Sequence, residues 1–231
     1  MITKLTKGFH RRRIFTNSLS DWLDDEVPIE WLDEMLDTIR QCSDVTWILC
    51  TKRPENFYKR LLEVEKNVRS QLAHWVCSWM GCLEIPENII LLASVENQEM
   101  ADKRVPELLK IPAACRGLSL EPLLGPIDLR RLIGFKKRDG AQLDWLIIGG
   151  ESGPKARACN LDWIRSLVAQ GKAAGVPRFV KQLGANVVDT WKLPPDHPAN
   201  GQQFEIGLCD KKGADPAEWP EDLHVQEWPK L

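Results

Sequence analysis

Six short apolar runs constrain this chain more than any other feature. Each closes on a cluster of polar residues, and most are followed by apolar positions at helical spacing. The runs are Ile14-Phe15, Val45 to Cys50, Ile89 to Ala93, Arg116 to Leu120, Trp145 to Ile148 and Arg178 to Val180. A strand buried on both faces in a parallel sheet reads as an unbroken apolar run of this kind. Between the runs, Ile29, Leu32, Met35, Leu36 and Ile39 predict one helix face over 28–42, with Pro28 suited to its first turn. Pro54 opens a second predicted helix carrying Phe57, Leu61 and Val64. Asn97 is a candidate cap for a third, with Met100, Val105 and Leu108 on one face and Pro106 expected to bend or interrupt it. Asn160 is a candidate cap for another, with Leu161, Ile164, Leu167 and Val168 inside and Gly175 near its end. The link after Glu121 is shorter, a Pro-Leu-Leu-Gly-Pro turn and then one helix expected over Leu129 to Ile133.

Repeated strand–helix units predict a parallel α/β sheet, and right-handed crossovers then bring every strand's C-terminal end to one rim. Two closures satisfy this, a doubly wound open sheet or a partial (β/α) TIM-like barrel. The barrel type is favoured because chemically capable residues follow nearly every strand; a doubly wound sheet concentrates them at a switch point. The pattern stops after Gly184. The expected organisation is a basic arm over 1–13, a partial barrel over 14–184 and a loop-rich appendage over 185–231. The appendage is expected to pack Trp191, Phe204 and Trp219 on the barrel, with one hairpin.

Length and composition exclude several classes. At 231 residues the chain buries roughly 70% of its unfolded surface, so it needs neither disulfide nor metal to hold a core. With 43% hydrophobic and 28% charged residues, wholesale disorder is ruled out, and no apolar run approaches a membrane span of roughly 18 residues. The formal charge of −2 gives no global argument for nucleic acid or membrane partners. Charge is uneven, however. Residues 1–13 hold five basic groups and no acid, a solvated flank in preference to a phosphate contact, and 205–231 hold seven acids and three bases. Seven scattered cysteines read as reduced, mostly buried thiols in a cytoplasm. Cys77 and Cys82 form only a weak metal signal and read as two small apolar residues on a helix with Trp75 and Trp79.

If all six tips face one mouth, it gathers Asn17, Ser18, Ser20, Asp21, Thr51, Lys52, Arg53, Ser94, Glu96, Asn97, Ser119, Glu121, Glu151, Ser152, Lys181 and Gln182. Such a set suits a polar ligand carrying both charges, with Lys52 and Arg53 on a carboxylate. The plain alternative is that these groups pair with one another as rim salt bridges and helix caps. The turn Gly149-Gly150-Glu151-Ser152-Gly153 allows close backbone approach to a ligand, or serves only as a tight turn. Glu96, Glu121 and Glu151, on consecutive strands, also fit a two-carboxylate hydrolase.

The strand ends carry a resemblance. Arg13 to Asp21 (RIFTNSLSD), Thr51-Lys52-Arg53-Pro54-Glu55, Ser94-Val95-Glu96-Asn97-Gln98, Leu118 to Pro126 (LSLEPLLGP), the Gly149–Gly153 turn, and Asp210-Lys211-Lys212-Gly213 with Glu218-Trp219-Pro220 are six motifs in order. Together they resemble a phage- and prophage-encoded family of uncharacterised proteins distantly similar to radical SAM enzymes, notably spore photoproduct lyase. The resemblance implies a partial barrel holding a [4Fe–4S] cluster and S-adenosylmethionine. It implies that Ser94, Glu96 and Asn97 contact the ribose or amino-acid part, that Lys52 or Arg53 contacts the carboxylate, and that Glu151 with the glycine turn lies near the adenine. Asn17, Ser18, Ser20, Asp21, Glu121, Gly149, Gly150 and Lys181 complete the expected ligand contacts.

The family's cysteine motif, which precedes the Asn-Ser-Leu-Ser-Asp strand, is absent from this sequence, so no cluster and no catalytic residue are expected here. The implied readings are a truncated form, a pseudo-enzyme that keeps the mouth, or a strand supplied by a second polypeptide or by self-association along the Ile14-Phe15 edge. A non-catalytic phage binding module is the second functional expectation. Nucleic acid enters only by analogy with the lyase.

Overall fold

A computed structural model describes residues 12–16, 19–67, 70–132 and 142–230. Six strands form one parallel sheet: β1 (Arg13–Thr16), β2 (Thr46–Thr51), β3 (Ile89–Ser94), β4 (Cys115–Leu120), β5 (Trp145–Gly149) and, after a two-residue strand β6 (Cys159–Asn160), β7 (Arg178–Gln182). Their spatial order is β1-β2-β3-β4-β5-β7, each strand beside the next in sequence, and the sheet curls into a half-barrel. Sequential order decides between the two closures. A doubly wound sheet needs a reversal of strand order, and here there is none. With every crossover of one hand, the helices fall on one side.

The packing shows this directly. Leu49, Leu91, Leu118, Leu146 and Ile148 face the helices in the larger core cluster. Alternate residues Ile48, Ile90, Leu92, Cys115, Trp145 and Ile147 form a second cluster, drawn from strands alone, on the concave face. All residues of β3 and β5 are buried, as two-sided burial requires.

The helices are α1 (Ile29–Gln41), α2 (Phe57–Asn67), α3 (Ser70–Met80), α4 (Gln98–Leu108) and α5 (Leu161–Ala174). Leu32, Leu36 and Ile39 on α1, and Phe57, Leu61 and Val64 on α2, are buried, so each stripe turns onto the sheet as its spacing dictates. A 3-10 turn at Pro54–Asn56 leads into α2. Both expected caps form. The Asn97 side chain accepts from Met100 N–H at 3.0 Å, and that of Asn160 from Asp162 N–H at 2.8 Å. Gly175 ends α5 at φ 69°, a left-handed position that glycine takes without strain.

Four expectations are corrected. Pro106 does not interrupt α4, which runs on to Leu108. Burial of Ala101, Val105 and Leu108 holds the helix on the sheet despite the missing donor. No helix forms at Leu129–Leu132, which is a turn, and Ile133 lies outside the described residues. Cys77, Cys82 and Cys209 are exposed and only Cys115 and Cys159 are fully buried: Cys77 lies on the solvent side of α3, and Cys82 is not on that helix but in the turn after it, at φ 59°. Within residues 185–231, β8 (Val187–Thr190) and β9 (Gln203–Ile206) make the expected hairpin, and Trp219 is buried. Trp191, by contrast, stacks on Phe204 at 4.3 Å and stays 45% exposed instead of packing on the barrel.

Among the described residues no helix is long and apolar enough to cross a membrane. The expected basic arm lies outside the described residues up to position 11.

Candidate functional site at the strand tips

Register sets the mouth. Thr51 lies beside Ala93, Ser94 beside Ser119, Ser119 beside Ile147, and Gly149 beside Gln182. The residues that follow therefore emerge on one rim. Backbone hydrogen bonds stitch the tip loops together: Leu124 N–H donates to Glu96 O at 2.8 Å, Leu123 N–H to Gly149 O at 2.9 Å, and Gly150 N–H to Gln182 O at 3.1 Å. Gln182 returns a side-chain bond to Gly150 O at 2.8 Å. A Cβ at Gly150 would stand 2.1 Å from Leu183 O, so this position accepts only glycine.

Asp21 organises the first part of the rim. Its carboxylate accepts from Thr51 Oγ1 at 2.7 Å, Lys52 N–H at 2.7 Å, Arg53 at 3.2 Å and Leu23 N–H at 3.1 Å. Arg53 also reaches Asp24 at 2.8 Å. These contacts pin the loop after β1 to the tip of β2. Asp21 and Arg53 are thus committed to each other.

Glu96 is the centre of the next group. Arg104, two turns down α4 from the Asn97 cap, donates to Glu96 Oε2 at 2.8 Å and to Ser94 O at 2.7 Å. Ser94 Oγ lies 3.3 Å and Lys52 Nζ 3.6 Å from Glu96 Oε1. Glu96 is 13% exposed and Lys52 56%, so Lys52 is the solvent-facing member of this group. Further round, Lys181 Nζ meets both Glu121 oxygens at 2.9 and 3.0 Å. Arg157 forks onto Glu151 with two bonds of 2.8 Å and adds its own backbone N–H at 2.8 Å. That guanidinium and N–H hold the Glu151 carboxyl down to about 2. Beneath the rim, burial pushes the Cys50 thiol up to about 12.

Of the expected contacts, the structure brings Lys52, Ser94 and Glu96 together, and likewise Glu121 with Lys181. Asp21 and Arg53 form a separate bracing pair, and Glu151 is paired with a residue outside the expected set. Asn97 spends its side chain on the cap of α4. Ser20 is exposed in the bend before Asp21. Gly149 and Gly150 bring backbone segments close, whereas Asn17 and Ser18 lie outside the described residues. Arg104 and Arg157 were not anticipated. The only signal for Arg104 was its helical phase with Asn97, and for Arg157 there was none, because it comes from a loop.

Five carboxylates (Asp21, Asp24, Glu96, Glu121, Glu151) are matched by five cations (Lys52, Arg53, Arg104, Arg157, Lys181). Among the described residues the rim holds both signs at short range and presents no single-sign field to a polyanion. The [4Fe–4S] cluster that the resemblance implies for full-length members does not fit these residues. Among the described residues no three His, Cys, Asp or Glu side chains group to hold a metal ion.

No curated protein and no solved structure matched the chain. A family model did, across residues 2–212, and its description is "Protein of unknown function (DUF5131)". A match over so much of the chain places this half-barrel protein in the DUF5131 family.

Proposed function

We propose that this chain is a binding half-barrel whose strand-tip mouth takes a small ligand carrying both an ammonium and a carboxylate, of the S-adenosylmethionine type. The observation that carries the reading is the charge-balanced rim over an apolar concave face, with Lys52 and Lys181 half-exposed beside their carboxylates. Lys52 swings from Glu96 to a ligand carboxylate, and the freed Glu96 and Ser94 oxygens accept from an ammonium or hydroxyl. Glu121 with Lys181, and the Glu151 turn, bound the remainder of the ligand. Asp21 and Arg53 brace the site and do not touch the ligand. This reading keeps the radical-SAM-like, phage-type kinship implied by the motifs, places the chain in a reducing host cytoplasm, and assigns it no reaction of its own.

Titration calorimetry of the full chain with S-adenosylmethionine tests it. A Kd below about 1 mM is expected, weakened at least tenfold by Lys52→Ala and Glu96→Gln and unchanged by Lys110→Ala, just past the end of α4 remote from the strand tips. Absence of heat at millimolar ligand overturns the S-adenosylmethionine assignment and leaves the non-catalytic partner-binding module. The two-carboxylate hydrolase is disfavoured by the ion pairs. Such an enzyme needs one carboxyl that keeps its proton near neutral pH. Glu151 ionises far below that range, while Glu96 and Glu121 face Arg104 and Lys181.

A further inference from the structure

The last strand of the half-barrel is not left bare. After Leu223 the chain returns along β7 and runs antiparallel to it, with Phe179 opposite Gln226. Val180 N–H donates to Val225 O, and Glu227 N–H to Arg178 O, both at 2.7 Å. The Trp145 indole N–H donates to Glu227 O at 2.9 Å, and the Glu227 carboxylate takes the Arg178 guanidinium at 2.9 Å. These bonds bring Trp228 onto the concave face, its ring 4.9 Å from that of Trp145 and 5.2 Å from that of Phe179.

Over the same ring sits Arg13, its guanidinium carbon 4.1 Å from the centroid. Arg13 opens β1, at the opposite margin of the sheet. One tryptophan therefore touches both margins of an otherwise open half-barrel. It does so at the N-terminal ends of the strands, roughly 13 Å below the rim by the rise of β5 from Trp145 to Gly149.

We infer that residues 225–228 form a releasable strap that closes the lower gap of the half-barrel, with the Arg13–Trp228 contact as its clasp. The strap is weakly held by the standards of a core strand. It makes two ladder bonds, backed by side-chain bonds of Trp145, Arg178 and Gln226, while Trp228 keeps 40% of its surface exposed and Arg13 is exposed. Elements with few buried contacts open ahead of the rest of the fold. When the strap lifts, Trp145 and Phe179 lose their cover and the concave cluster gains a second entrance, from below. A cation over an indole face at an exposed site supplies a modest, separable share of the closing energy. This inference is independent of what the mouth binds.

Hydrogen exchange by mass spectrometry on the full chain tests it. Arg13→Ala should speed exchange of the Val180 and Glu227 amides about two- to fivefold, the factor expected of an exposed cation–π contact, and leave α5 unchanged. Trp228→Leu, which keeps apolar cover, should do the same, and the double variant should exchange no faster than the more affected single variant. Unchanged exchange in Arg13→Ala overturns the clasp. So does acceleration that extends equally into α5, or fully additive effects in the double variant. Arg13 sits on an exposed edge, so its variant is readable even if Trp228→Leu fails to fold.

Discussion

Removing the Arg104 guanidinium is the sharpest test of how the mouth is built. Arg104 and Glu96 are 12% and 13% exposed, joined at 2.8 Å, and Arg104 Nη1 also donates to Ser94 O at 2.7 Å. Taking one partner from a buried pair costs about 3–5 kcal/mol, because the other charge stays buried without compensation. Lys52 stands 3.6 Å from the same carboxylate and can swing closer, which lowers the expected cost to about 2–3 kcal/mol. Arg104 Nε is also buried without a partner, so the native pair is not fully satisfied either. Arg104→Met keeps the apolar stem and isolates the charge. In a chain of this size a loss near 3 kcal/mol lowers Tm by about 6–12 °C. The assay is urea unfolding followed by far-UV circular dichroism, at low and high salt. Adding Glu96→Gln to Arg104→Met should recover more than half of the loss, since a neutral amide replaces the stranded carboxylate. A loss under about 1 kcal/mol, or no recovery in the double variant, would refute the argument by showing that water screens this pair as it does a surface one.

Three further outcomes follow from the same physical reasoning. Ellman's reagent at pH 8 should titrate Cys77, Cys82 and Cys209 rapidly, while Cys50, Cys115 and Cys159, pushed up to about 12, react only on unfolding; more than four fast thiols in the native protein would contradict this. The Glu151 carboxyl, held at about 2 against an ordinary 4.5, favours the folded loop at pH above about 4.5, and that contribution fades as pH falls through about 2. Carboxyl-detected NMR should place its inflection near 2, moving towards 4.5 in Arg157→Ala, and an inflection near 4.5 in the native chain would be inconsistent with the fork. Ile14 and Phe15, 41% and 48% exposed on the edge strand β1, should promote self-association that Phe15→Lys reduces; light scattering showing the same mass for both chains at every concentration would discard that edge as the contact.

Period and punctuation alone determined the six strands, the α1 and α2 stripes, and the caps at Asn97 and Asn160. Those are local properties, since a two-sided apolar run must be buried and a side-chain oxygen at a helix start finds its N–H within three residues. The sequence also placed the candidate residues on strand tips, because tips follow the runs directly. Only the tertiary structure decided which groups face one another. Strand order and register paired Glu121 with Lys181 and turned Asp21 and Arg53 into a brace, while the turn from β3 into α4 folded Arg104 back onto Glu96. The strap was not legible, because the Arg13–Trp228 contact joins positions near opposite ends of the chain and leaves no periodic trace. Pro106 stayed helical for the same reason: burial against the sheet is a non-local energy, and it outweighed the local preference to break.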